Sequence, residues 1–163
     1  MEITVTIIDA GTIKPDWLQE RAKIDIIVPP EARIHTPITV LHLQGDLDGS
    51  GYMTLLETIQ QQGNVEAPRM ILDFTGVNWI SNSGLLGLYM AGSLLQGEPI
   101  HDQDGYEVTG RMRSAIEDGQ PLTFLHVAAL NEELASILES TGLSTIVTIY
   151  PTLEDAISRF PTR

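Results

Sequence analysis

Three consecutive polar residues, Ser81, Asn82 and Ser83, are the residues of this chain best suited to phosphate chemistry or to binding. They follow a short apolar run that begins at Met70, and leucines at helical spacing begin at Leu85. This order predicts a buried strand, a loop and a helix, with the polar residues at the helix N-terminus. Free backbone N–H groups and the helix dipole favour a carboxylate or a phosphate at such a position.

The elements on either side of this loop must position it. The strand before the loop is predicted to end at Asp73, together with Thr75 and Gly76. An earlier strand over residues 38–43 ends in a glycine-rich turn at 45–51. A helix is expected from there to about residue 62, and its apolar face carries Met53, Leu56 and Ile59.

Strands and helices are predicted to alternate over the rest of the chain, which indicates a largely parallel sheet flanked by helices. Near the N-terminus, the sequence predicts strands over 3–7 and 24–28, and a short helix from Pro15 to about Ala22 between them. Near the C-terminus, it predicts strands over 122–127 and 145–150. Helices are predicted over 131–140, capped by Asn131 and ended by Gly142, and over 152–160, capped by Thr152.

The segment after the central helix has a different pattern. Asp104 and Gly105 predict a two-residue hairpin turn between strand arms at 100–103 and 106–108. Thr109 is then expected to cap a short helix, whose apolar residues at helical spacing are Met112, Ala115 and Ile116.

The ordered series of elements resembles the STAS domains, the fold of anti-sigma-factor antagonists. The mark of that family is an apolar strand ending in Asp or Asn, followed by a D-S-S-G turn that opens a helix. The stretch QGDLDGSGYMTLLETI is similar to the family's earlier G-x-L-D strand end and first helix, and LTFLHVAALNEELASILESTGLSTIVTIYPTLEDAISRF to its last strands and helices. Residues 38 to 160 match in order, apart from an insertion near 97 to 118.

The resemblance implies one α/β domain over 1–163, with a mixed, largely parallel sheet flanked by about four helices. Residues 1–37 would form an N-terminal extension that adds a strand, and 97–118 would form an inserted hairpin and short helix. Because the insertion leaves and re-enters the family pattern near Leu95 and Leu122, replacing it with a short glycine-rich bridge is expected to leave a folded domain with its core strands untouched.

The resemblance also implies a non-enzymatic module that regulates transcription by binding a protein. In the family, an anti-sigma factor that is itself an ATPase-fold serine kinase either binds the antagonist or phosphorylates it. The implied partner of this chain is therefore an anti-sigma factor or an ATPase-fold serine kinase-like protein. The implied contact residues are Asp48, Ser81, Asn82, Ser83, Gly84 and Gly87.

This chain departs from the family at the turn, because it has Ser81, Asn82, Ser83 and Gly84 in place of D-S-S-G. The usual phospho-acceptor position falls on Asn82, which cannot take a phosphate. Ser83 is the better remaining acceptor, since it matches the second serine of the motif, and Ser81 is the other. Helix capping alone would also explain these residue types.

Two other functions remain open at this point. Some STAS domains are accessory or scaffold subunits of transporters or of sensory assemblies, and others are proposed to hold small ligands. The small residues Gly84 and Gly87 permit close approach of another backbone, which could belong to the chain's own sheet or to a docked protein. A homodimer is equally left open.

Composition and motifs argue against several other classes of function. A net charge of −13, from 9 basic and 22 acidic residues, disfavours nucleic-acid binding, and the absence of cysteine excludes disulfides and thiol catalysis. His35, His42, His101 and His126 are too dispersed for a zinc site, and those at 42 and 126 are predicted to be hydrogen-bonded residues of the sheet. Asp102 and Asp104 suit a hairpin tip better than a calcium loop.

Enzymatic alternatives have little support in the sequence. A serine hydrolase needs a G-x-S-x-G elbow, whereas the residues around Ser83 read S-N-S-G-L, and only His101 or His126 could follow it in a triad. A P-loop is absent, and no cofactor or metal is expected. The start MEITVTIIDAGT lacks the features of a secretory signal, and no apolar run approaches about 20 residues, so a cytoplasmic location is expected.

Overall fold

The computed structural model describes residues 1–8, 37–62, 69–98 and 105–160. The predicted helix from Pro15 to about Ala22, the predicted strand over 24–28 and the first hairpin arm over 100–103 lie outside these residues. The described strands are β1 Glu2–Ile8, β2 Ile38–Leu47, β3 Arg69–Ile80, β4 Leu125–Ala128 and β5 Thr148–Tyr150. The described α-helices are α1 Gly51–Gln62, α2 Asn82–Leu95, α3 Gly105–Asp118, α4 Glu132–Thr141 and α5 Leu153–Arg159.

The described strands form one five-stranded sheet in the order β1-β2-β3-β4-β5. β1 pairs with β2 in the antiparallel direction, and the three other pairs are parallel. The prediction of a mixed, largely parallel sheet with an extra N-terminal strand is therefore confirmed. Five α-helices flank the sheet in the described part of the chain, where about four were predicted.

Both faces of the central strands are buried. Leu41 and Leu72 belong to the main core, which they share with residues of α1, α2 and α4. Val40 and Ile71, one residue away on the same strands, belong to a second cluster with residues of α5. Side chains of a strand alternate between its faces, so this division places helices on both sides of the sheet.

β3 is longer than predicted. Asp73, Thr75 and Gly76 were expected to end it, but the strand continues to Ile80, and Phe74, Val77 and Ile80 are buried. β2 runs beside it as far as Leu47, with shifts of register near Gln44 and Leu47. A Cβ atom at residue 76 would lie 2.7 Å from the carbonyl oxygen of Leu43, so Gly76 permits close contact with β2 instead of ending the strand.

The hairpin prediction is wrong in its second arm. Residues 106–108 are helical, and the helix begins at Gly105 instead of being capped by Thr109. Val108 and Ala115 are buried in the main core, and Met112 and Ile116 pack against it. This spacing gives a continuous apolar stripe along α3. Removing residues 97–118 would therefore expose part of the core, contrary to the expectation from the sequence.

Local signals at the other helix ends are confirmed. Asn131 caps α4 by accepting a hydrogen bond from Leu134 N, and Thr152 caps α5 through Asp155 N. Gly142 ends α4 with a φ of 85°, which glycine adopts without steric cost. The last two strands are shorter than predicted. A turn closed by a hydrogen bond from Leu125 N to the carbonyl oxygen of Leu122 precedes β4, and a 3₁₀-helix over Leu143–Thr145 precedes β5.

His126 of β4 lies in an aromatic cluster under α5, in the strand position predicted for it. Its Nδ1 is 3.1 Å from the hydroxyl of Tyr150, and its ring centroid is 4.2 Å from that of Phe160. The guanidinium of Arg69 lies over the Phe160 ring, 5.0 Å from its centroid. Burial lowers the pKa of His126 from its ordinary 6.5, and the positive charge of Arg69 lowers it further.

We expect the contribution of α3 to stability to be measurable. Val108→Ala should lower the free energy of unfolding by about 1–2.5 kcal/mol, because it removes buried methyl groups from the main core. Arg113→Ala, on the exposed side of the same helix, is the matched control and should change it by less than about 0.5 kcal/mol. Urea unfolding measures both, and equal stability of the two variants would mean that α3 does not pack as described.

We also expect acid to weaken the fold through His126. Its pKa is lower in the folded state than in the unfolded state, so the unfolded chain binds more protons once the pH falls below about 6.5. Stability should therefore decrease between pH 7.5 and 5.5, and His126→Phe should reduce that dependence. Thermal unfolding at several pH values tests this, and the same slope in both proteins would contradict it.

Candidate functional site

The turn between β2 and α1 is organised by Asp48. Its Oδ1 accepts hydrogen bonds from Ser50 N at 3.0 Å, Ser50 Oγ at 2.9 Å and Gly51 N at 2.9 Å. These bonds lower the pKa of Asp48 below its ordinary value, and the bond from Gly51 N has the largest effect. The carboxylate thus caps the start of α1 and stays ionised at neutral pH.

The turn between β3 and α2 is organised in the same way by Ser81. Its Oγ accepts a hydrogen bond from Gly84 N at 3.0 Å, and its carbonyl oxygen accepts one from Leu85 N at 2.9 Å. Ser81 is the N-cap residue of α2, one of the three capping residue types that the sequence offered at this place, and it is half-buried. Its hydroxyl is therefore already used within the chain.

The structure brings the Asp48 turn and the Ser81 turn together. Ser81 N donates a hydrogen bond to the carbonyl oxygen of Leu47 at 3.0 Å, and Leu47 pairs with Ile80 in the sheet. A side chain at Gly49 would lie 4.0 Å from Cβ of Ser83. The two turns, with the predicted contact residues Asp48, Ser81, Asn82 and Ser83, therefore adjoin at the carboxyl ends of β2 and β3.

Gly84 and Gly87 lie beneath this surface and are buried. A Cβ atom at position 84 would collide with the carbonyl oxygen of Leu47, and one at position 87 would collide with the side chain of Tyr52 in α1. The close approach that these glycines permit is therefore to the chain's own sheet and to α1. The two glycines therefore determine how closely α2 packs on the sheet and on α1. Only the exposed residues beside them can contact another molecule.

Asn82 and Ser83 are those exposed neighbours, in the first turn of α2. No acidic residue occupies this turn, so no side-chain charge offsets the positive end of the helix dipole there. A carboxylate or a phosphate on either side chain would be stabilised by that dipole. The turn can thus present either a neutral polar surface or, after modification, a negative one.

Two large apolar side chains near these turns, Trp79 and Met53, are exposed, which the sequence analysis did not predict. Trp79 is 48% exposed although it lies in β3 immediately before buried Ile80. Met53 is 48% exposed on α1, which corrects the prediction that it shares a buried face with Leu56 and Ile59. Alternation along β3 does not predict this, because Val77, two residues before Trp79, is buried, and Asn78 and Trp79 are both exposed.

A chain of polar contacts crosses the first three strands on the face that also carries α5. Nδ1 of His42 donates to Asp73 Oδ2 at 2.8 Å, and Thr6 Oγ1 lies 3.0 Å from its Nε2. The other carboxylate oxygen of Asp73 accepts from Thr75 N and Oγ1. Burial would raise the pKa of Asp73, but the bonds from Thr75 and His42 outweigh it and lower that pKa. The prediction of His42 as a hydrogen-bonded sheet residue is confirmed.

The histidines give no support to a serine hydrolase. His126 pairs with Ile71 in the sheet. Ile71 lies ten residues before Ser81, so roughly 30 Å of extended chain separates the level of His126 in the sheet from the Ser81 turn. His101 lies outside the described residues. In the part of the chain that the structure describes, no three His, Cys, Asp or Glu residues are grouped as a metal would require, and no helix is long and apolar enough to span a membrane.

Comparison with known proteins finds similarity in fold. No family model and no curated protein sequence matches the chain. A Thermotoga maritima protein assigned as an anti-sigma factor antagonist superposes with a TM-score of 0.54 and 14% identity, over 76% of this chain and 86% of that one. A murine anion transporter, solute carrier 26 family member A9, superposes with a TM-score of 0.52 and 11% sequence identity. This match covers 74% of this chain but only 17% of the transporter. The described chain has the fold of a STAS domain.

Proposed function

We propose that this protein is a non-enzymatic regulatory module that binds a protein partner through the start of α2 and the adjoining Asp48 turn. The partner is an anti-sigma factor or an ATPase-fold serine kinase-like protein. The observation that carries the proposal is the exposure of Asn82 and Ser83 at the N-terminus of a helix, on a fold shared with an assigned anti-sigma factor antagonist.

The local geometry suits a docking surface. Both turns are held by hydrogen bonds within the chain, through Asp48 Oδ1 and Ser81 Oγ, so little conformational entropy is lost when a partner binds. The exposed side chains between them are small and uncharged. A partner can therefore approach closely, and a single added charge changes the surface that it meets.

Asn82 makes this binding constitutive. The residue stands where regulated members of the family carry the phosphorylated serine, and its amide is uncharged and close in size to an unmodified serine. The turn therefore keeps the form that binds the partner. Control by phosphorylation at this position is lost unless a neighbouring serine takes it over.

A second candidate is an accessory or scaffold subunit of a transporter or of a sensory assembly. The observation that favours it is the match in fold to 17% of an anion transporter chain. The neighbours of the coding sequence discriminate between the two candidates. A kinase or phosphatase gene beside it would favour the anti-sigma-factor hypothesis, and a permease gene would favour the transporter hypothesis.

Charge at residue 82 should control partner binding. In calorimetric titrations against candidate anti-sigma factors, Asn82→Ser should bind as tightly as the unmodified chain. Asn82→Asp and Asn82→Glu should bind at least about tenfold more weakly, since they imitate a phosphorylated turn. The acidic variants should fold normally, because a carboxylate at a helix N-terminus is favourable by about 0.3–1 kcal/mol.

The matched control is Gln60→Glu, which makes the same amide-to-carboxylate change at an exposed position of α1 away from the turns. It should leave the affinity unchanged. Equal affinity of the Asn82 variants for a factor that binds the chain would remove the turn from the interface. A loss shared by Gln60→Glu would indicate a general effect of charge.

Any phosphorylation of the turn should fall on Ser83. Its side chain is exposed, whereas Ser81 Oγ caps α2, and losing that cap would cost about 1 kcal/mol. The test is incubation with ATP and each ATPase-fold kinase that binds the chain, followed by peptide mapping of Ser83→Ala and Ser81→Ala. Only Ser83→Ala should lose the phosphate. Modification confined to Ser81, or to residues outside the turn, would contradict this.

A further inference from the structure

β3 contains a bulge just before its last residue. Gly45 of β2 pairs with Val77 and Leu47 pairs with Ile80, so a two-residue step along β2 matches a three-residue step along β3. The extra residue of β3 interrupts the regular pairing. A bulge of this kind changes the direction in which the neighbouring side chains point.

The bulge keeps a tryptophan out of the core. In a regular strand, Trp79 would point to the same face as Val77, which is buried in the main core. Because of the extra residue, Ile80 takes that place instead, and Asn78 and Trp79 are both exposed between the two buried residues. The irregular pairing therefore has a definite result, since it presents a large aromatic side chain, 48% exposed, to solvent.

No neighbouring strand covers Trp79 in the described part of the chain. β4 pairs with β3 only as far as Asp73, six residues before Trp79, and the cluster under α5 reaches β3 at Ile71. The Ser81 turn, in contrast, begins two residues after Trp79. A single exposed apolar residue is common on protein surfaces, but tryptophan beside a candidate docking surface is the residue type most enriched among binding hot spots.

The charge around the bulge indicates what kind of partner fits there. Asp46 is the residue of β2 opposite the bulge, it is exposed, and it forms no ion pair among the described residues. The ionised Asp48 follows it in the adjoining turn. The described basic residues lie at the start of β3, on α3 and in the last turn of α5: Arg69, Arg111, Arg113 and Arg159. The surface beside Trp79 is therefore negative.

A basic partner suits this surface better than a second copy of the chain. A second copy would bring the same carboxylates and a net charge of −13, so electrostatic repulsion opposes self-association. Arginine or lysine at the edge of a partner's apolar pocket would pair with Asp46. A guanidinium could in addition lie over the indole ring of Trp79.

We propose that Trp79 is the apolar anchor of the docking surface, and that the partner receives it in an apolar pocket bordered by arginine or lysine side chains that pair with Asp46. This inference rests on the proposed function, because it assigns the chemistry of the partner that meets the two turns. The bulge of β3 is then the feature that places the anchor beside them.

The first experiment uses phage-displayed random peptides, selected on the full chain, so it requires no known partner. The selected peptides should be enriched in arginine or lysine and in apolar residues. Synthetic copies should bind Trp79→Ala at least about tenfold more weakly, and Trp79→Phe less than about threefold more weakly. Ile149→Ala, which truncates an exposed apolar residue two strands away from β3, is the matched control and should bind normally. A selection that yields no peptide dependent on Trp79 would overturn the proposal.

Asp46→Asn tests the charge without changing Trp79. It should weaken binding of the same peptides and reduce the dependence of their affinity on salt concentration, because one carboxylate no longer pairs with them. Glu117→Gln, at an exposed position of α3, is the matched control and should change neither. An equal loss with Glu117→Gln would mean general attraction to an acidic chain and would contradict the pairing with Asp46. Dimerisation of the free chain that Trp79→Ala abolishes, seen by sedimentation equilibrium, would also overturn the proposal.

The same variants distinguish this inference from the proposed function. An anti-sigma factor that loses affinity for Asn82→Asp, but binds Trp79→Ala as tightly as the unmodified chain, would refute the anchor and leave the proposed function standing. Basic peptides that depend on Trp79, with no anti-sigma factor or kinase-like protein binding the chain, would support the anchor and contradict the proposed partner.

Discussion

The candidate docking surface depends on one backbone contact, in which the carbonyl oxygen of Leu47 meets the start of α2. That oxygen accepts the hydrogen bond from Ser81 N, and Gly84 lies against it so closely that no side chain would fit. The parallel pairing of β2 with β3, which continues to Leu47 and Ile80, brings the two together. Register between two strands thus determines where two helices begin, and the Asp48 and Ser81 turns adjoin as a result.

Features that depend on a few neighbouring residues could be predicted from the sequence. The caps Ser81, Asn131 and Thr152 each accept a hydrogen bond from an N–H three residues ahead. Residue type therefore identifies Asn131 and Thr152, and limits the cap of α2 to three consecutive polar residues. The end of β3 could not be predicted in this way. Thr75 and Gly76 resemble a local stop, but the partner strand beside them determines that the strand continues.

The prediction about α3 was wrong, and the contact between the two turns could not be derived from sequence spacing, for a related reason. A hairpin is stable only if its two arms pair. As a helix, this segment instead packs Val108, Met112 and Ala115 against the main core, and that burial favours the helix over the hairpin. For the site, the residues Asp48 and Ser81 were joined only through a family resemblance. Nothing in the spacing of the sequence shows that the two turns touch, because that contact is made through strand pairing.

The burial of α2 limits how the proposed docking surface could be controlled. Nearly every residue from Gly84 to Leu95 is buried, on all sides of the helix, so α2 cannot shift without opening the main core. Its first turn is therefore presented rigidly, and only Asn82 and Ser83 project from it. A switch at this place has to act by changing charge on an immobile surface, because the core opposes any change of shape. That requirement suits a phosphate, and at residue 82 this chain has an amide that cannot accept one.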